Sequence, residues 1–90
     1  MRYAARVDDN HREIVDGLRG IGRTVLDLSR LGSGAPDALV GNGVANVLIE
    51  IKTEKGKLQD KQKEFFKAWR GPKAVVRTLD EAIAATGLAC

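Results

Sequence analysis

Gly34-Ala35-Pro36-Asp37-Ala38-Leu39-Val40-Gly41-Asn42-Gly43-Val44-Ala45-Asn46-Val47-Leu48-Ile49-Glu50-Ile51-Lys52 is the stretch on which the fold turns. Residues 38–40 predict a short strand. Gly41-Asn42-Gly43 predicts a turn, because Asn-Gly readily takes positive φ. Residues 44–52 predict a second strand, and its centre, Val47-Leu48-Ile49, is continuously apolar, as expected of a strand covered on both faces. Strand side chains alternate, so Leu48, Glu50 and Lys52 share one face. A tight turn sets Asp37 against Leu48; a slightly longer one sets it against Glu50. In either register two carboxylates lie on adjacent strands, within reach of one ion.

Charge at that place has a physical consequence. Glu50 and Lys52 follow an apolar strand centre, where charge is costly unless paired or ligated. Neighbouring carboxylates also raise each other's pKa. A divalent cation removes both penalties, and hard oxygen donors without thiolates or clustered imidazoles suit Mg²⁺ or Mn²⁺. Such an ion can acidify a water and offset charge on a phosphoryl oxygen. Lys52 would then orient the attacking water or stabilise a pentavalent phosphorane. The competing reading is an ion pair on a half-exposed strand.

Upstream, residues 10–21 predict a helix with Ile14, Val15, Leu18 and Ile21 as its apolar stripe. Asn10 and Glu13 have the spacing of an N-cap and its N3 partner. Residues 24–28 predict a strand, and residues 29–36, rich in Gly and Ser, a loop. Downstream, residues 53–57 form a charged loop, residues 59–70 a helix stopped by Gly71-Pro72, and residues 74–77 a strand. Thr78 and Glu81 open a last helix ending near Thr86, with Gly87 as its cap. The order α-β-β-β-α-β-α predicts a small mixed α/β sheet with helices packed on it.

Size and composition bound the rest. The chain has 90 residues, enough for a single domain spanning residues 1–90 with one modest core. No apolar run reaches the roughly 18–20 residues that span a bilayer, and residues 1–6 carry no apolar core of a signal peptide. A cytoplasmic location is expected. Cys90 is the only cysteine, so an internal disulfide and a thiolate metal cluster are excluded. The net charge of +3 and pI near 9.3 hint at an anionic partner.

The order and spacing of these motifs resemble the PD-(D/E)xK nuclease superfamily, and more closely its VRR-NUC branch, in particular short stand-alone phage members. The resemblance runs along nearly the full chain. It is carried by Glu13 on the first helix, Gly34 to Asp37, Glu50-Ile51-Lys52 and its charged loop, Gln62 on the next helix, and the Val75-Val76-Arg77-Thr78 strand followed by Glu81-Ala82-Ile83. It implies a restriction-endonuclease-like αβββαβ core. It implies metal ligation by Asp37, Glu50, the Ile51 carbonyl and Glu13, a catalytic Lys52, and Gln62 in support. Family members of this kind imply a homodimer acting on branched DNA, including four-way junctions.

Second-tier residues keep two readings each. Glu13 either joins the metal site or only caps its helix. Gln62 shares a face with Phe65, Phe66 and Trp69, and needs partners if buried: either the active-site carboxylates or the helix-start backbone. The aromatic side chains are expected in the core, with Trp69 alternatively in a dimer interface, and His11 is expected to be packed or to lie in an interface. Lys55, Lys57, Lys61 and Arg12 are candidate phosphate contacts, the segment 53–61 being preferred for its closeness to Lys52. Arg19 and Arg23 lie on the polar side of the first helix. Gly17 and Gly20 would permit close approach of a partner helix. The alternative to an endonuclease is a non-catalytic nucleic-acid-binding module on the same fold.

Overall fold

The structure is a computed structural model that describes residues 9–87. The readings of residues 1–6 and of Cys90 fall outside that range. The elements are α1 (Asp9–Gly20), β1 (Thr24–Asp27), β2 (Ala38–Gly41), β3 (Asn46–Ile51), α2 (Asp60–Ala68), β4 (Lys73–Val76) and α3 (Leu79–Ala85). The strands form one sheet in the order β1-β2-β3-β4. The first two pairings are antiparallel, and β3–β4 is parallel. A parallel pair cannot be closed by a tight turn, and α2 lies in the crossover. The result is a mixed α/β fold consistent with a restriction-endonuclease-like core.

The core forms where alternation on the strands meets the helical stripe of α1. Ile14 and Leu18 are fully buried, together with Val40, Ile49, Val76 and Ala82. Gly17 lets α1 approach α3: a Cβ there would lie 2.5 Å from the Leu79 side chain. Its close contact is therefore within the chain, whereas Gly20 faces open space.

Five local expectations are corrected. α1 includes Asn10, which is therefore not its N-cap. Ile21 follows the helix and is exposed, because the glycines on either side end the stripe one turn early. β3 begins at Asn46, and Val44 is exposed, because the Asn42 carboxamide oxygen accepts from both Val44 N and Ala45 N and holds the turn open. α2 stops at Ala68, and none of its residues is buried. Phe65 and Phe66 are half-buried, and Phe65 stacks on the exposed Trp69 at 5.4 Å rather than filling the core.

Candidate active site

The longer-turn register is the one observed. Ala38 pairs with Ile49, so the next position outward sets Asp37 across from Glu50. The buried Pro36 delivers Asp37 to the mouth of β2. There its Oδ2 accepts from Ile51 N at 2.7 Å, fixing the carboxylate on the end of β3.

Glu50 is 2% exposed. Its Oε2 accepts from Gln62 Nε2 at 2.9 Å and lies 3.5 Å from Lys52 Nζ. Its Oε1 is buried with no hydrogen-bond partner among the described residues. Burial, with the Asp37 charge adding to it, pushes the Glu50 carboxyl up to about 7, against the opposing pull of Lys52. A buried carboxylate oxygen without a donor is costly, and a bound cation is one partner that could offset that cost.

Gln62 satisfies both roles that its sequence position posed as alternatives. Its Oε1 accepts from Gln59 N at 2.8 Å, closing the first turn of α2. Its Nε2 holds Glu50. The helix start and the acidic centre are thus tied through one carboxamide.

The backbone of Lys52 is held from two sides. Its N–H donates to Val76 O at 3.0 Å, and its carbonyl accepts from Asn10 Nδ2 at 2.8 Å. The same Asn10 amide reaches Arg77 O at 3.4 Å. Arg77 Nη1 in turn donates to Thr53 O and Gly56 O, both at 2.6 Å, and pins the loop that follows Lys52. Asn10 and Arg77 were not legible as site residues. Only the convergence of α1 and β4 on the end of β3 reveals them.

A cleft of about 540 Å³ opens over this centre. Asp37, Glu50, Ile51, Lys52 and Gln62 line it, together with His11, Arg12, Asp16 and Arg19 of α1. His11 is thus half-buried on the cleft wall rather than packed in the core. Glu13 is exposed and is not part of this wall: burial of Ile14 and Leu18 fixes the rotation of α1 and turns Asp16, not Glu13, toward the cleft. Among the described residues, no group of three or more His, Cys, Asp or Glu side chains is arranged to hold an ion. The protein donors at the centre are two carboxylates and backbone oxygen, a set that suits an ion retaining several waters.

Of the candidate phosphate contacts, Arg12 lines this cleft, and Lys61 lines a neighbouring one of about 500 Å³. Lys55 and Lys57 are exposed and line neither; they sit on the loop that Arg77 pins through Thr53 O and Gly56 O. Arg23 is turned elsewhere, donating to Thr86 Oγ1 at 3.2 Å. No helix among the described residues is long and apolar enough to cross a membrane.

The family model for the VRR-NUC domain matches residues 4–79. No curated protein and no solved structure matches the chain.

Proposed function

This chain belongs to the VRR-NUC family, within the PD-(D/E)xK nuclease superfamily, and we propose that it is a metal-dependent endonuclease that hydrolyses phosphodiester bonds of DNA. The observation that carries the proposal is the buried Glu50 Oε1, without a hydrogen-bond partner among the described residues, beside Asp37 at the floor of an open cleft. Asp37, Glu50 and the Ile51 carbonyl would hold Mg²⁺ or Mn²⁺, which when bound supplies a more acidic water and offsets charge on a phosphoryl oxygen.

The chain's own residues do the positioning. The Ile51 N–H orients the Asp37 carboxylate, and Gln62 occupies Glu50 Oε2 so that Oε1 stays available. Lys52, its side chain 16% exposed at the cleft edge, donates to the attacking water or to the phosphoryl oxygen as charge develops there. Asn10 and Arg77 keep the Lys52 backbone from drifting. Preference for branched DNA, including four-way junctions, and a homodimer belong to the same proposal. Both rest on the likeness to short stand-alone family members, and two-fold pairing would extend a small recognition surface.

A cleavage panel tests this. Linear duplex, single-stranded, flap and four-way-junction DNA are incubated with Mg²⁺ or Mn²⁺, with Lys52→Ala and Glu50→Gln as controls. The expected result is metal-dependent cutting, greatest on branched substrates, and lost in both variants. Cutting that survives both substitutions overturns the assignment. Binding without cutting by the unsubstituted protein shifts it to the non-catalytic module.

A further inference from the structure

The two clefts are not separate. Ser29, Asp37 and Gln62 line both, so the openings abut at the acidic centre and form one groove passing over Asp37. At one end α1 supplies Arg12 and Arg19. At the other the first turn of α2 supplies Lys61, beside the turn Gly32-Ser33-Gly34. That second wall is closely fitted: Gly34 has φ +83°, and a Cβ there would lie 2.5 Å from the Lys61 carbonyl oxygen. No side chain larger than hydrogen fits between turn and helix.

The charge along the groove is ordered. Its middle holds Asp37 and Glu50, which repel a polyanion, and its two ends carry exposed cations. Acidic side chains are present too: Asp16 and Asp27 in the first cleft and Asp60 in the second. Asp27 is engaged locally, accepting from Ser29 N at 2.8 Å and Ser29 Oγ at 2.5 Å. Arg19 is partly anchored by donation to Val25 O at 3.0 Å, which holds its guanidinium near the wall.

The geometry points to a strand path: the sugar-phosphate backbone of one DNA strand runs along this groove, with flanking phosphates held by Arg12 and Arg19 on one side of the acidic centre and by Lys61 on the other. This rests on the nuclease reading and adds to it which cations touch the substrate strand and which do not. Lys55 and Lys57, nearest Lys52 in sequence, lie off the path. Contacts on both sides of the centre stretch the strand across it, so neighbouring phosphates help place the phosphate to be cut over Asp37 and Glu50.

The test measures binding apart from cutting. A fluorescently labelled DNA duplex with a single-stranded arm is titrated in Ca²⁺, over a range of salt, and anisotropy gives Kd. Each lost phosphate contact lowers the magnitude of the salt slope by about 0.7–0.9. Arg12→Ala and Lys61→Ala should each lower the slope by about that amount, the double variant by about twice as much, and Lys57→Ala by none. All are exposed residues, and unchanged thermal melting checks that each variant folds. Slopes that fall equally in Lys57→Ala, or fall for only one end of the groove, overturn the path. Cleavage by the unsubstituted protein is followed in parallel: if it cuts DNA but the groove variants keep its slope, the path alone fails, whereas a protein that neither binds nor cuts sinks the nuclease reading as well.

Discussion

Glu50→Gln should make the metal-free protein more stable, although it alters the centre of the site. The folded state holds the Glu50 carboxyl near 7, against an ordinary value of 4.5. At about 1.4 kcal/mol per pH unit, ionising it in place costs roughly 3 kcal/mol. The carboxamide carries no charge, fills the same space, and keeps an oxygen for Gln62 Nε2. That cost is already net of the attraction of Lys52, 3.5 Å away, so the gain is about 3 kcal/mol. For a domain of this size that is roughly 15 °C in Tm.

The size of the gain depends on pH. The folded protein binds a proton that the unfolded chain has already released, so stability is full below about 4.5 and falls as pH rises through about 7. Thermal melts of both proteins in chelator from pH 4.5 to 8.5 should therefore nearly coincide at the acid end, separate as pH rises to about 7, and keep a constant gap above it. Adding Mn²⁺ at pH 8 should raise the Tm of the unsubstituted protein and leave Glu50→Gln unmoved. A variant less stable than the parent at pH 8 in chelator, or a gap that does not change with pH, would refute the reasoning.

Asn10→Ala removes the donor to Lys52 O. It should lower kcat severalfold with KM nearly unchanged, since a displaced Lys52 affects the chemical step; an equal change in both constants, followed by steady-state assay, argues against the positioning role. Gln62→Leu breaks the bond to Glu50 and the closure of α2 together. Calorimetry should show weaker Mn²⁺ binding, and melting should show a loss of about 1–3 kcal/mol; intact affinity would separate the helix start from the acidic centre. Gly34→Ala forces an L side chain into φ +83° against the Lys61 backbone. It should cost more than about 1 kcal/mol, read as a lowered urea midpoint, and a neutral result would mean that the turn does not sit flush on α2.

The acidic pair was legible because it depends on local rules. Alternation put Glu50 and Lys52 on one face, and the Asn42-Gly43 turn brought Asp37 back to meet them. Only the register was open, and it was decided by the Asn42 side chain holding a wider turn. What stayed hidden depends on long-range contact. The Asn10–Glu13 spacing suits a helix cap, yet the Asn10 amide is drawn to two carbonyls where β3 and β4 diverge. Closeness in sequence to Lys52 favoured Lys55 and Lys57, but Arg77, distant in the chain, fixes their loop. On a helical wheel Glu13 lies on the flank of the apolar stripe, and the angle that separates it from Asp16 is decided only by the packing of Ile14 and Leu18.

Calorimetric titration of Mn²⁺ into the DNA-free protein probes the acidic centre without relying on turnover. Saturable binding should be seen in the unsubstituted protein, lost in Asp37→Ala and in Glu50→Ala, and retained in Glu13→Ala. Binding that persists when both Asp37 and Glu50 are removed, or no binding by the unsubstituted protein at all, would contradict a metal centre at this site.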